Sequence, residues 1–90
     1  MYAIKTTTRF QRDVRRAEKR GYNMSLLTDV IKKLAKGETL SPKYKDHDLV
    51  GDYLGCRECH ITPDWLLVYK IDRNQLILVL SRTGTHSDLF

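Results

Sequence analysis

Three histidines give this chain of 90 residues its clearest means of acid–base chemistry. They are His47, His60 and His86. With an unperturbed pKa of about 6.5, an imidazole can release or accept a proton near neutral pH. Glu58 and Asp64 flank His60 in the sequence, and Arg82 precedes His86, so acids and a cation accompany the histidines. Isolated histidines are more often surface or satisfied structural groups, so these positions alone fit either a catalytic or a structural interpretation.

The net charge of +5 lies on one predicted helix. A capping box of Thr8 and Gln11 begins this helix, and Gly21 ends it. Its inward stripe comprises Phe10, Val14 and Ala17. Seven basic and two acidic residues lie between Lys5 and Arg20, and the remaining chain is neutral. The outward arginines therefore form either a solvated basic face or a surface that binds RNA, DNA or an acidic protein.

A second amphipathic helix and a short first strand complete the first half of the chain. The strand covers residues 1–6, before the basic helix. The second helix runs from an Asn23 cap to residue 36, with Gly37 after it. Its apolar face comprises Leu26, Leu27, Val30, Ile31 and Leu34. Two helices with one apolar face each therefore need a sheet to pack against.

The second half of the chain supplies that sheet. After a long polar connection over residues 38–52, three strands form an antiparallel meander, because only short turns join them. They span residues 53–61, 65–71 and 75–82. We therefore expect a single α+β domain over residues 1–90, in the order β-α-α-β-β-β, with a mainly antiparallel sheet. The two helices pack on one face of the sheet, and the other face stays free for a site.

The sequence also predicts the compartment. Its longest apolar runs, residues 65–69 and 76–80, are far shorter than the roughly 18 residues of a spanning helix, and the N-terminus lacks the pattern of a secretory signal.

Cys56 and Cys59 have the spacing of a metal knuckle or redox pair, but residues three apart on a strand face opposite sides. We therefore expect free thiols, no metal site, no membrane partner and a cytoplasmic protein.

Three strings in the second half of the chain carry a family resemblance. They read YKDHDLVG at 44–51, RECHITPDWLLVYK at 57–70 and RTGTHSDLF at 82–90. In order and spacing they resemble the motifs of the YafQ-like branch of the RelE superfamily, and the two predicted helices fit the family's first half. The resemblance implies a RelE-like fold and a toxin of a type II toxin–antitoxin system. Such a toxin is a ribosome-associated endoribonuclease that cuts mRNA, and a cognate antitoxin binds it in a hetero-oligomeric complex.

The resemblance also implies which residues form the site. The catalytic residues are His47, His60, Asp64 and His86. The RNA-binding residues are Lys45, Glu58, Arg82 and Phe90, the last stacking on a base or fixing the tail. The surface for ribosome and antitoxin comprises Arg9, Arg12, Arg15, Arg16 and Lys19. Asp48 stands where the family commonly has proline and Cys56 where an aromatic is frequent, but neither departure removes a proposed catalytic group.

The residue types suit RNA cleavage without a metal or other cofactor. The adjacent 2′-hydroxyl can attack the phosphate if a base takes its proton, an acid protonates the leaving 5′-oxygen and a cation faces the phosphate. We predict that His86 is the general acid and that His60 and His47 supply base and phosphate-positioning roles, although the sequence alone does not assign base and acid. Asp64 would orient a histidine, and Arg82 would contact the phosphate. The alternative function is a non-catalytic module that binds nucleic acid or protein through the basic helix.

Overall fold

The computed structural model describes residues 1–90 and contains five strands and three α-helices. The strands are β1 (Ala3–Thr6), β2 (His47–Asp48), β3 (Arg57–Thr62), β4 (Trp65–Asp72) and β5 (Ile77–Gly84). The helices are α1 (Thr8–Lys19), α2 (Met24–Ala35) and α3 (His86–Leu89). The predicted α+β order is confirmed, with β2 and α3 as additions. No helix has the length and apolar character needed to cross a membrane.

The sheet has the strand order β1-β5-β4-β3-β2. Strands β2 to β5 pair antiparallel with their neighbours, so the predicted meander is confirmed, and β1 pairs parallel with β5. This parallel pairing reaches only from Ile77 to Leu80. The second half of β5 therefore lies beyond β1, and α1 packs beside it.

Local interactions set the ends of the helices. Thr7, not Thr8, caps α1: its backbone is extended, and its hydroxyl accepts a hydrogen bond from the Phe10 amide at 3.0 Å. The predicted Thr8–Gln11 capping box is therefore wrong, and the Gln11 side chain instead donates to Thr6. The Asn23 cap of α2 is confirmed, since its side chain accepts from the Ser25 amide. Gly21 and Gly37 follow the two helices with positive φ, as predicted.

Strand boundaries differ from the sequence prediction at two turns. The strand predicted from residue 53 begins at Arg57, because a 3-10 turn over Gly51–Tyr53 precedes it. The last strand lies at Ile77–Gly84 rather than residues 75–82. There the Asp72 carboxylate accepts hydrogen bonds from the backbone amides of the following turn, which delays the strand.

Helices α1 and α2 pack on one face of the sheet, as predicted. Their buried residues join a core with β3, β4 and β5 that includes Phe10, Ala17, Leu27, Val30, Leu34, Cys59, Leu67, Tyr69 and Leu80. Leu26 was expected in this core but is 39% exposed on the outer side of α2. Burial raises the pKa of the Cys59 thiol to about 12.

The opposite face of the sheet has a smaller apolar cluster, which the tail helix α3 covers. Leu66, Val68 and Leu89 form its centre, and Cys56 packs against them. Cys56 and Cys59 therefore lie on opposite faces as free cysteines, as predicted.

Candidate active site

The face opposite α1 and α2 gathers predicted site residues from three strands. His47 pairs with Glu58, Glu58 with Val68 and Val68 with Arg82, which forms one row across the sheet. Directly paired residues point to the same side, so His47, Glu58 and Arg82 share this face. Two strand spacings of about 4.8 Å separate the backbones of Glu58 and Arg82 by roughly 10 Å.

The adjacent row places His60 and the backbone that leads to His86 on either side of β4. His60 pairs with Leu66, and Leu66 pairs with Gly84, two residues before His86. His60 and the start of the segment that carries His86 therefore lie at the same end of the sheet. The width of one strand, filled by Leu66, lies between them.

A buried carboxylate joins the two histidines of the sheet edge. Glu58 is only 5% exposed, and its Oε1 lies 3.6 Å from Nε2 of His47 and 3.7 Å from Nε2 of His60. The other ring nitrogen, Nδ1, faces a carbonyl oxygen in each case, that of Lys45 at 2.7 Å and that of Pro63 at 3.4 Å. Because a carbonyl only accepts, Nδ1 is the donor in each of these contacts, and Nε2 faces the carboxylate.

A second polar network fixes the segment that carries His47. Arg57 on β3 donates to Asp46 at 3.1 Å and to Asp48 at 2.6 Å, and the Tyr69 hydroxyl also donates to Asp46. Burial and the nearby Asp46 carboxylate raise the pKa of Tyr69, so the phenol stays protonated. These bonds hold the two residues of β2 against β3, which explains a strand that the sequence pattern did not predict.

A bulge in β5 turns Arg82 onto the site face. Val68 pairs with Arg82, whereas the next residue of β4 pairs with Leu80, so Ser81 is an extra residue. In a regular strand Leu80 and Arg82 would share a face, and Leu80 belongs to the core under the helices. The extra residue therefore moves the Arg82 side chain to the opposite face.

Arg82 reaches back to α1 across the edge of the sheet. Its Nε and Nη2 donate to the two oxygens of Asp13 at 2.7 and 3.2 Å. These hydrogen bonds raise the pKa of Arg82, which keeps the guanidinium charged. Arg82 also lines a cleft of about 390 Å³ with Arg9, Tyr53 and Phe90.

Ion pairs to α1 hold the tail in place. Asp88 in α3 accepts two hydrogen bonds from Arg20, at 2.7 and 3.1 Å, and forms a reciprocal capping box with Thr85. The hydrogen bonds from Arg20 hold the pKa of Asp88 well below its usual range. A side chain on Gly84 would come within 2.9 Å of the Asp88 carboxylate, so this close approach requires glycine.

The tail presents two of the predicted site residues. His86 is exposed at the start of α3, and its ring centroid lies 5.0 Å from that of Phe90. Phe90 in turn makes an edge contact with Tyr53, at 5.4 Å between centroids. Phe90 therefore lies between His86 and the segment before β3, on the rim of the cleft that Arg82 lines.

One predicted residue, Asp64, lies differently from the expectation. Asp64 is exposed in the turn between β3 and β4, and no hydrogen bond or ion pair joins it to a histidine. The carboxylate beside His60 is Glu58 instead, because alternation along β3 points both side chains to the same face. The Lys45 side chain lines a cleft of about 400 Å³ next to His60, together with Lys43.

The basic helix divides into an inner and an outer set. Arg16 donates to Asp13 at 2.9 Å and lies 3.9 Å from Asp88, so this arginine takes part in holding the tail. Arg16, which was predicted for the surface that binds ribosome and antitoxin, is therefore also part of this network and is only half-buried. The exposed members of the set are Arg9, Arg12, Arg15 and Lys19.

Comparisons with known proteins show what this chain is similar to in sequence and fold. The family described as "Bacterial toxin of type II toxin-antitoxin system, YafQ" matches residues 2–90. The chain is 38% identical to the mRNA interferase toxin YafQ of Escherichia coli K12 over 88 residues, which are 97% of this chain and 94% of that protein. The structure of a metal-bound toxin from Helicobacter pylori is 44% identical with a TM-score of 0.93 and full coverage of both chains. The E. coli DinJ-YafQ complex contains a chain that is 36% identical with a TM-score of 0.91, covering 100% of this chain and 99% of that one.

Proposed function

The chain belongs to the YafQ family of bacterial type II toxin–antitoxin toxins, and from that premise we propose that it is a cytoplasmic endoribonuclease that cuts mRNA. The observation that carries the proposal is that His60 lies across β4 from Gly84, two residues before His86, with Arg82 in the adjacent row of the same face. An RNA chain laid across this face places its phosphate between two proton-transfer groups and beside a cation. Residues 1–90 together form the toxin domain.

The arrangement of these side chains supports one order of proton transfers. The 2′-hydroxyl oxygen bonds to phosphorus while its proton passes to Nε2 of His60, and Glu58 stabilises the resulting imidazolium. The bond from phosphorus to the 5′-oxygen breaks, and His86 protonates that leaving oxygen. Arg82 donates to the phosphate oxygens as their charge grows. His47, on the other side of Glu58, shares the same carboxylate and positions the phosphate.

A triple histidine variant separates an enzyme from a binding module. We expect wild-type protein to cut a labelled oligoribonucleotide equally in magnesium buffer and in EDTA, because histidine and arginine supply all the proposed chemistry. The variant with His47, His60 and His86 replaced by alanine should bind the same RNA within about twofold of wild type by fluorescence anisotropy, since the arginine and lysine contacts to the phosphates persist, but should not cut it.

Two outcomes would contradict this proposal. Growth inhibition by the folded triple variant would favour the non-catalytic module. If EDTA abolished cleavage and a divalent ion restored it, a metal would take part in the reaction. This test matters because one similar structure is that of a metal-bound toxin from Helicobacter pylori.

The partners follow from the relatives and the charge. The DinJ-YafQ complex supports a cognate antitoxin that binds this chain in a hetero-oligomer. We propose that mRNA is cut on the ribosome and that the exposed basic face of α1 contacts ribosomal RNA. An acidic stretch of the antitoxin would compete for the same face, so antitoxin binding would silence the toxin partly without contacting the histidines.

Neutralising this face should weaken ribosome binding more than cleavage. Replacing Arg12, Arg15 and Lys19 by glutamine leaves Arg16 in its contacts with Asp13 and Asp88. We expect the magnitude of the slope of log affinity against log salt concentration to decrease by about two to three. The reason is that each phosphate contact that is lost no longer releases its counterions. Cutting of a naked oligoribonucleotide should change less, because the proposed chemistry lies on the sheet.

A control with the same change in charge makes this measurement specific. The matched variant replaces Lys32, Lys36 and Arg73, which are exposed and outside α1, by glutamine. Ribosome binding is measured across a salt series for all three proteins. Equal affinity and equal slope for wild type and the α1 variant would show that the basic helix is only a solvated face.

A further inference from the structure

A buried carboxylate on α1 makes the densest set of hydrogen bonds near the candidate site. The Asp13 side chain is 4% exposed, and its two oxygens accept four hydrogen bonds. Two come from Arg82, at 2.7 and 3.2 Å, one from Arg16 at 2.9 Å and one from the Thr83 amide at 3.1 Å. Both oxygens are therefore fully engaged, and all the donors but Arg16 belong to the end of β5.

Packing alone gives no reason for a charge at this position. Asp13 lies three residues after Phe10 and four before Ala17, in the stripe that α1 buries against the sheet. An apolar residue would fill such a place without the desolvation that a carboxylate suffers. The charge is tolerated because Arg82 and Arg16 neutralise it.

The carboxylate also holds the irregular part of β5. Its bond to the Thr83 amide lies just after the bulge at Ser81, and the Thr7 hydroxyl donates to the Ser81 carbonyl at 2.8 Å. Asp13, which accepts the first hydrogen bond, lies in α1, and Thr7, which donates the second, caps α1. Together these two hydrogen bonds fix the backbone that turns Arg82 to the site face. The guanidinium has five N–H groups in a rigid planar arrangement. Hydrogen bonds to its Nε and Nη2 therefore also fix the orientation of the remaining N–H groups.

We propose that Asp13 is a positioning residue for the RNA cleavage reaction, acting through Arg82. It holds one edge of the guanidinium and the backbone after the bulge, so that the free N–H groups of Arg82 face the RNA phosphate in the cleft with Tyr53 and Phe90. This inference rests on the proposed function. Asp13 itself contacts no substrate.

The test is a double-mutant cycle on the single-turnover rate of oligoribonucleotide cleavage. We expect Asp13→Asn to lower the rate about 10- to 100-fold, in line with the loss of hydrogen bonds to a charged group. In a protein that already has Arg82→Ala, the same substitution should change the rate less than about twofold, because the group through which it acts is gone. Asp29→Asn on α2, at an exposed carboxylate, is the matched control and should leave the rate unchanged.

A merely structural role gives a different result. Asp13→Asn would then lower the rate by the same factor with and without Arg82, and that outcome would overturn the proposal, as would an unchanged rate. Circular dichroism shows whether each variant is folded. If Asp13→Asn does not fold, Asp13→Glu enters the same cycle, because it keeps the buried charge paired but displaces the guanidinium, and equal losses in both backgrounds again reject the inference.

A spectroscopic readout keeps this inference separate from the proposed function. The Nε–H proton of Arg82, bonded to Asp13, should exchange slowly with water in wild-type protein, and its NMR signal, assigned by its absence in Arg82→Ala, should exchange rapidly in Asp13→Asn. If wild-type protein cuts no RNA, the proposed function fails. If it cuts RNA but this signal exchanges rapidly in wild type, only the role of Asp13 fails.

Discussion

His86→Ala is expected to slow mRNA cleavage about 10²- to 10⁴-fold, the usual contribution of a general acid, and to abolish growth inhibition. The side chain stands exposed at the start of α3 and makes no hydrogen bond within the protein. Its ring contacts only the Phe90 ring among the aromatic residues. Truncation therefore removes a proton donor with little loss of folding free energy, since surface substitutions of this kind usually change stability by less than about 0.5 kcal/mol.

The neighbouring serine supplies the matched control. Ser87 is exposed on the same turn of α3, so Ser87→Ala makes a similar change in the tail without removing a titratable group. Cleavage rates, growth inhibition and circular dichroism spectra are compared for the two variants and wild type. Wild-type cleavage by a folded His86→Ala protein would exclude His86 as the general acid.

The parts of the fold that depend on periodicity could be predicted from the sequence. The apolar stripe of α2 and its Asn23 cap are local signals, and the structure has both. The opposite orientation of Cys56 and Cys59 followed from strand alternation alone. Leu26 fits the same helical period but lies at the edge of the stripe, where only the position of the sheet decides its exposure.

The parts that depend on long-range partners could not be predicted. Arg82 reaches the site face only because of the bulge at Ser81, and bonds from residues some 70 positions away hold that bulge. Asp13 is one of the two acidic residues of the predicted basic helix, but it lies four residues before Ala17 in the buried stripe. A carboxylate at that spacing is the one signal that could have indicated a buried partner.

Strand alternation predicted only one of the two histidines that face the Glu58 carboxylate. Alternation along β3 placed Glu58 and His60 on one face, but the sequence did not show that His47 would face the same carboxylate. That contact requires the two-residue strand β2, which Arg57 holds through Asp46 and Asp48. A polar network among residues 46–58 thus brings together two histidines that lie far apart in the sequence.

The two sides of the basic helix α1 face different surroundings and differ in their contacts. Its inner side holds Arg82 through Asp13 and the tail through Arg20, while its outer arginines are exposed. The proposed catalytic residues on β5 and α3 therefore depend on α1 for position. A variant of the outer face that also included Arg16 would confound ribosome binding with tail position, which is why Arg16 is left unchanged in the test above.

The largest expected effect concerns the substrate. A single 2′-deoxy substitution on the 5′ side of the scissile phosphate should reduce cleavage to the detection limit, because it removes the proposed nucleophile while leaving every phosphate contact in place. With unmodified RNA, the products should be a 2′,3′-cyclic phosphate and a free 5′-hydroxyl. Both ends follow from attack by the 2′-oxygen with His60 as base and His86 as acid.

The measurement uses three oligoribonucleotides that differ at one sugar: unmodified, 2′-deoxy at the scissile position and 2′-deoxy one nucleotide downstream. The downstream substitution keeps the nucleophile and should be cut at nearly the unmodified rate, so a loss confined to the scissile position separates chemistry from binding. Product ends are identified by mass spectrometry. Cleavage of the scissile 2′-deoxy RNA would mean that water attacks the phosphate. In that case the two histidines would transfer protons from and to groups other than the 2′-hydroxyl and the 5′-oxygen. A 5′-phosphate or a linear 3′-phosphate would then appear among the products.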